Sequence, residues 1–551
     1  MPLKHLFTII VASLLLSITM IRSGRPSQFG YGYWGPNGHD AIWHLAVIRQ
    51  SQSNIPPKNP IFSGQVLNNY HWGFDLVAAL IANLTVIDLQ TIYFQILPII
   101  TAFFYGLFSY LFFRQLTGNQ TASLIFVLLN FFAGSLGWIV SLARTGSLGG
   151  ESLFWSMQGV STLLNPPFSL SLVLLFWGLW LMLMRTNPIL VGVILGLLAL
   201  IKVYASILVG LSLVAFIISK VNKPNFAEKY YLQLFACFSI LSAIIFFLFG
   251  YSNSGSLILW QPFWVVHSLV ESTDKLYWPQ LASYRQSLSQ NLSLIKLPLF
   301  IAIEATLTAI FLFGNFGTRI FGLIFTKIKL ETSVIIKTAT LLSILFPLFF
   351  IQKGTAWNTI QFLYYGLIFS NIYLAVFLSQ LIKDRRYVLF IAILIATILT
   401  SFGTLRDYFG SPPPASLPPA EIKALSFLGQ QPGEIVLTFP YDPYSKTNLA
   451  TPLPLRLYET TAYLPAFSGK ISYLSDEMNA SILGLDWQQR RKSSLDFFTT
   501  QNRHQARGFL LNNKIDYIYL VGQQNFQLSP PELEIDQIYS FNNVRIFHVR
   551  K

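Results

Sequence analysis

The sequence predicts an α-helical polytopic membrane protein carrying a C-terminal α/β domain outside the cytoplasm, and three observations support this. Hydrophobic residues fill 53% of the 551 positions and charged residues only 11%, which excludes an ordinary soluble enzyme. Apolar runs of about 20 residues recur from the N-terminus to Leu405, each long enough to cross a hydrocarbon layer of about 30 Å. Past Leu405 the pattern changes to alternating polar and apolar segments, as in a water-soluble domain.

Windows of that length predict spans near Leu6–Ile21, Thr91–Phe113, Thr121–Val140, Pro167–Met184, Pro188–Tyr204, Ala205–Ser219, Tyr231–Gly250, Leu297–Phe313, Thr338–Ile351, Thr359–Ile382 and Val388–Leu405, about eleven transmembrane helices in all. The first run is read as a retained span, because Met20, Ile21 and Arg22 offer no small-residue cleavage site and further spans follow. Pro188–Tyr204 and Ala205–Ser219 form one long apolar run with Lys202 in its middle; reading it as one span would invert everything downstream.

A net charge of +14 would suggest a nucleic-acid partner in a soluble protein, but here the basic residues collect in short loops between apolar runs. With the N-terminus inside, Lys4, Arg114, Arg185, Lys220, Lys223, Lys229, Arg319, Lys327, Lys329, Lys337, Lys383, Arg385 and Arg386 all fall on the cytoplasmic side. The charge is therefore a topology signal, and no nucleic-acid partner is expected. The only cysteine, Cys237, sits in an apolar run, so no internal disulfide can form.

The predicted organisation is a membrane domain over 1–405, a Pro-rich linker over 406–420 containing "GSPPPASLPPA", and an extracytoplasmic α/β domain over 421–551. In the last of these, "EIVLTF" and "DYIYLVG" read as buried strands and "SFNNVRIFHVR" as a hairpin strand, while "SLDFFTTQNRHQARGFLLNNK" has helical spacing. It shows no nucleophile–base pair, phosphate loop or zinc-ligand spacing, which points to a structural or acceptor-binding role.

The densest chemistry follows the first span. "GYWGPNGHDAIWHLAVIRQ", Gly32 to Gln50, sets Asp40 between His39 and His44. "AIWHLAVIRQ" and "WGFDLVAALIANLTVI" carry apolar residues at helical spacing with charges among them, the pattern of interfacial helices lying on a membrane. A second outer loop, Tyr251 to Lys296, interleaves aromatic and charged residues that suit a sugar groove or an ordinary aromatic belt.

One span, then "HDAIWH" on an amphipathic helix, then "NPIFSGQVLNNYHWGFDLVAALIANLTVIDLQ", then a span ending in "YLFFRQLTGNQTA", resembles the N-terminal third of the GT-C superfamily of membrane glycosyltransferases. That superfamily includes protein O-mannosyltransferases and aminoarabinose transferases. "GVILGLLALIKVYASILVG" is similar to its span in which a lysine meets the phosphate of the lipid carrier. The resemblance implies an acidic residue in the first outer loop at the catalytic centre and a C-terminal outer domain. It further implies a polyprenyl-phosphate-linked sugar as donor and a lipid, glycan or protein acceptor. The chain departs from the family pattern in having no second acid beside Asp40; the later basic residue of the family would fall on Lys353 or Arg285.

The chemistry of such a transfer needs a base for the acceptor hydroxyl and donors for the departing phosphate. Asp40 suits the base, with His44 one helical turn further on, and His71 and Lys202 as phosphate contacts. Each has an alternative reading: Asp40 as an N-cap, the histidines as interfacial hydrogen-bonding residues, Lys202 as a snorkelling lysine. No cofactor is expected. A divalent metal on His39, Asp40 and His44 is conceivable but disfavoured, since His39 and Asp40 would point to different sides of a helix. The leading function is an inverting GT-C-type glycosyltransferase (a hexosyl- or pentosyltransferase) of the cell envelope; the alternative is a non-catalytic transporter, flippase or assembly scaffold.

Overall fold

The computed structural model describes residues 1–220, 228–249, 258–327, 333–446 and 449–551, so Lys223, Lys329, Gly250 and the stretch 251–257 of the second predicted outer loop lie outside the described residues. The chain forms two compact units. One gathers Met1–Thr19 with the helices from Ile99 to Phe409, and the other joins Met20–Pro98 to Gly410–Lys551. The first outer loop and the C-terminal domain, which the sequence reading separates, thus fold into one body.

Among the described residues, eight helices are long and apolar enough to cross a membrane: Leu3–Ile21, Leu89–Thr117, Pro166–Leu183, Val203–Lys220, Lys229–Leu248, Leu297–Phe316, Ala356–Lys383 and Tyr387–Asp407. The protein is an integral membrane protein on this basis. The other three predicted spans differ from straight membrane helices. Thr121–Val140 is a pair, Gln120–Phe132 and Gly137–Thr145, bent by 44°, while Pro188–Ile201 and Ser333–Phe349 are shorter apolar helices. Composition alone reveals apolar runs, whereas breaks such as the one at Lys202 depend on what the backbone meets in three dimensions. Gly192 shows why the short helix must carry a small residue: a Cβ there would lie 2.6 Å from the Leu234 carbonyl oxygen and 2.7 Å from Cys237 Cβ.

Arg319 corrects the sequence reading directly. Assigned to a cytoplasmic loop, it is instead fully buried at 1% exposure, at the start of the Arg319–Phe325 helix. Its guanidinium donates to the carbonyls of Ala133 (2.8 Å) and Gly134 (3.1 Å), at the break between the bent pair, and to Asn371 Oδ1 (2.8 Å) and Gln158 Oε1 (3.1 Å). The break leaves carbonyls without helical partners, and the arginine fork fills them.

The second unit is built on two sheets. A five-stranded mixed sheet runs in the order Ile535–Phe541, Val544–Val549, Tyr517–Val521, Ile435–Thr438 and Ile471–Ser472. The first two pairings are antiparallel and the last two parallel. Tyr517–Val521 is buried at every position, as its unbroken apolar run requires. A smaller sheet pairs Gly30–Tyr33 with Ala415–Leu417, so the Pro-rich stretch is a strand where a linker was expected. The predicted single helix over Ser494–Lys514 is two, Trp487–Thr499 and Arg503–Asn512, the second capped by Asn502 accepting from Gln505 N.

One of the two outer-loop helices also differs from expectation. Asp40–Ser51 is buried on nearly every face, packed on Gly73–Leu84 and Tyr463–Ser468, so it is a core helix and not an interfacial one. Gly73–Leu84 keeps an amphipathic character, with Phe74, Ala78 and Ala79 inside and Val77, Leu80 and Leu84 exposed. Loop residues 59–63 are stitched to the C-terminal part by Ser63 N to Ser472 O (3.1 Å), Ser472 N to Pro60 O (2.9 Å) and Arg490 Nη2 to Ser63 O (2.9 Å).

Candidate functional site

The second unit brings together an acidic cluster at the head of the Asp40–Ser51 helix. A short turn, Gly35–Gly38, leads into it, and Gly38 lies so close to Tyr458 that a Cβ would sit 2.8 Å from the ring. His39 is the N-cap residue, with φ −129° and ψ −68°, and Asp40 opens the helix proper. Because His39 lies outside the helix, its ring can turn back onto its neighbour: Nδ1 is 2.7 Å from Asp40 Oδ1. The expectation that the two side chains point apart applies only within a helix. On the other side, His39 Nε2 faces Asp476 Oδ1 at 3.3 Å.

The burial of the three groups differs. The Asp40 side chain is 58% exposed, while that of His39 is 10% exposed and that of Asp476 is completely buried. Asp476 occupies the left-handed region at φ +50° and caps Glu477–Ile482, accepting from Asn479 N (3.1 Å) and Asn479 Nδ2 (2.8 Å). A non-glycine residue held there is fixed by its surroundings. Burial opposes charge on His39, but attraction to Asp476 and Asp40 and the hydrogen bond with Asp40 outweigh it and hold the imidazole pKa well above its ordinary value. The result is a buried cation that fixes one exposed carboxylate and one hidden one.

A pH prediction follows from that shift. A raised histidine pKa stabilises the fold fully below the unfolded value of about 6.5, and the stabilisation is lost as pH rises through the folded value. The melting temperature of the purified protein should therefore fall as pH is raised from 6.5 through the alkaline range. His39→Gln should flatten that part of the profile. Superimposable profiles for both proteins would rule out a charged His39.

The other site residues expected from the sequence fall as follows. His44 is buried, its Nδ1 2.8 Å from Asp75 Oδ1, with Phe74 and Tyr93 around the ring; it ties its helix to Gly73–Leu84. His71 is half-buried and stacks on Tyr70 at 4.9 Å, and Tyr70 meets the Trp43 edge at 5.4 Å. Burial first, then the charges of Asp75, Asp40 and Asp476, raise the Tyr70 pKa well above its ordinary value. Lys202 belongs to the first unit. It sits at the break between Leu198–Ile201 and Val203–Lys220, 3% exposed, its Nζ donating to Asn165 Oδ1 at 3.3 Å and lying 5.4 Å above the Tyr204 ring. Lys353 and Arg285, also in that unit, differ: Lys353 is exposed, while Arg285 pairs with Glu271 (2.9 Å) and Glu304 (3.5 Å).

Sequence reasoning missed Asp476, Asp75 and Tyr70. Asp476 carries only the generic signal of an acid before a short helix, and nothing in the sequence links it to a histidine more than 400 residues earlier. Among the described residues, no group of three or more His, Cys, Asp or Glu is arranged to hold a metal ion.

No family model matches the chain, and no curated protein matches it in sequence. Among solved structures it is similar to the oligosaccharyltransferase of Archaeoglobus fulgidus, crystallised in complex with Zn and sulfate. The match has a TM-score of 0.51 and 14% identity, and covers 93% of this chain and 67% of that one. At that identity the likeness shows the fold alone: the chain shares the fold of that oligosaccharyltransferase.

Proposed function

We propose that the protein is a membrane glycosyltransferase that moves a sugar from a polyprenyl-phosphate donor to an acceptor outside the cytoplasm, with Asp40 as the catalytic base. The observation behind this is the geometry of Asp40. It is the exposed member of a cluster whose other members are buried, and it heads a helix packed on nearly every face. Capping does not account for the residue, because the N-cap position is His39. A base must be accessible and oriented, and His39, anchored by Asp476, orients it.

The reaction proceeds as a single displacement. The acceptor hydroxyl attacks the anomeric carbon, Asp40 takes its proton, and the carrier phosphate leaves with the bonding electrons, inverting the anomeric centre. His71, half-buried beside Tyr70, and Lys202, buried at a helix break among Asn165 and Tyr204, are proposed as phosphate contacts, each within its own unit. A buried lysine in a membrane unit is costly unless it serves polar partners, and a phosphate is one that its charge suits. His44, enclosed with Asp75, positions the helix that carries Asp40.

The test is transfer of a labelled sugar from a short-chain polyprenyl phosphate by the purified protein in lipid nanodiscs. Transfer is expected with inversion; release of free sugar without transfer, or no turnover across a panel of donors, would overturn the assignment. Affinity for the sugar-free polyprenyl phosphate should weaken in Lys202→Met, which keeps the apolar stem, and in His71→Ala. Equal affinity in wild type and both variants would remove these residues from the donor site.

A further inference from the structure

The C-terminal part of the second unit contains a cavity of about 510 Å³ beyond the ends of its parallel strands. Ile435–Thr438 pairs in parallel with both Tyr517–Val521 and Ile471–Ser472. Thr438 and Val521, the last residues of two of these strands, line the cavity, and so do Leu474 to Glu477 just past the third. Open α/β sheets bind ligands in the crevice outside the carboxyl ends of their strands, because the loops diverge there.

The lining is chemically distinctive. Three hydroxyl oxygens on it, Tyr441 Oη, Thr461 Oγ1 and Ser475 Oγ, are buried and have no hydrogen-bond partner among the described residues. Thr461 as a whole is only 5% exposed. Buried polar atoms are nearly always satisfied, so three such hydroxyls around one space indicate partners supplied by whatever fills it. Neighbouring groups are already engaged: the Thr460 hydroxyl donates to Glu477, and Glu477 pairs with Arg491 at 2.8 Å. The frame is therefore fixed while the hydroxyls remain available. Tyr463 adds aromatic surface, and Asp442 and Glu459 add acceptors.

Charge narrows the ligand further. Three carboxylates line the cavity, those of Asp442, Glu459 and Glu477, against the Arg456 guanidinium, which lies 3.6 Å from the buried Glu421. A phosphate or carboxylate ligand would be repelled, whereas a neutral molecule rich in hydroxyls would find donors, acceptors and aromatic faces. The carrier phosphate of a lipid-linked donor does not belong here.

We propose that this cavity is a saccharide site that binds sugar units of the acceptor, an uncharged or amine-bearing glycan. The inference rests on the glycosyltransferase reading for the word acceptor, but the binding itself does not. Asp476 connects the two places: it lines the cavity and faces His39 Nε2 at 3.3 Å, while His39 Nδ1 holds Asp40. An acceptor bound by its sugars would thus sit beside the residue whose buried carboxylate faces the histidine that holds the base.

Saturation-transfer NMR on the full-length protein in nanodiscs tests the proposal, with glucose, galactose, mannose, N-acetylglucosamine and glucosamine as probes at millimolar concentration and glucose 6-phosphate as the anionic control. At least one uncharged or amine-bearing sugar should show transfer, and the phosphorylated sugar should show none. The double variant Tyr441→Phe with Thr461→Val, which removes two hydroxyls at nearly constant shape, should bind about tenfold more weakly, as expected for two neutral hydrogen bonds. A melting profile like that of wild type shows that the variant is folded. Asp40→Asn should bind the sugars as wild type does, which separates this site from catalysis. No signal with any sugar, equal binding in the double variant, or preference for glucose 6-phosphate would overturn the proposal, even if Asp40-dependent transfer to a peptide or lipid were found.

Discussion

Asp40→Asn is expected to lower the rate of sugar transfer by about 10² to 10⁴ while leaving the protein folded and able to bind its donor. The substitution is nearly isosteric and keeps an oxygen that can accept from His39, so it removes the base without opening a gap. Stability should change little, because the side chain is 58% exposed and is not the helix cap. Loss of the carboxylate beside a charged imidazole is a modest effect at the surface, since Asp476 still faces the ring from the buried side. The measurement is initial rate at saturating donor for wild type and Asp40→Asn, normalised to folded protein by size-exclusion chromatography. A rate within a few-fold of wild type would show that another group takes the proton and would return Asp40 to a structural role.

The residues that carry most of this reasoning differ in how visible they are in the sequence. The membrane helices are visible because lipid demands long apolar runs, and eight of the predicted runs correspond to helices long and apolar enough to cross, among the described residues. Their interruptions, at Lys202 and between Phe132 and Gly137, are not, because the apolar composition runs on through them. Asp40 stands out in the sequence as an acid among histidines following a first span. Its setting does not, since Asp476 comes from the opposite end of the chain. The outer-loop helix Asp40–Ser51 was read as interfacial because a helix with charges among apolar residues has the same composition at a membrane surface and inside a domain. Only its packing against Tyr463–Ser468, a part of the C-terminal region, distinguishes the two. The same distance in sequence hid the joining of residues 20–98 to residues 410–551.

Arg319→Met should prevent the protein from accumulating in a folded state. Local charge patterning places this residue in a basic loop, yet its guanidinium is among the most completely buried large groups of the membrane unit. It serves two sets of backbone acceptors. One comprises Ala133 and Gly134 in the break after Gln120–Phe132, and the other Asn315 and Phe316 at the end of Leu297–Phe316, both at 3.4 Å. Helix C-termini present unpaired carbonyls and a negative dipole end, so a cation with five N–H donors answers both at once. Asn371 extends the network, accepting from Nε at 2.8 Å and donating to Asn130 at 3.0 Å. Methionine fills much of the volume and avoids burying a charge, which is favourable, but it leaves several acceptors without donors in a setting that water does not reach. At about 1–3 kcal/mol for each unsatisfied group, the loss exceeds the gain and is comparable to the whole stability of a typical domain. Arg319→Lys tests the geometry separately: a point cation with three donors cannot span both breaks, so an intermediate loss is expected. Fluorescence-detected size-exclusion profiles and melting temperatures of wild type, Arg319→Lys and Arg319→Met should fall in that order. If Arg319→Met instead gives a monodisperse protein melting at or above wild type, the guanidinium network is dispensable and the bend after Phe132 is fixed by packing alone.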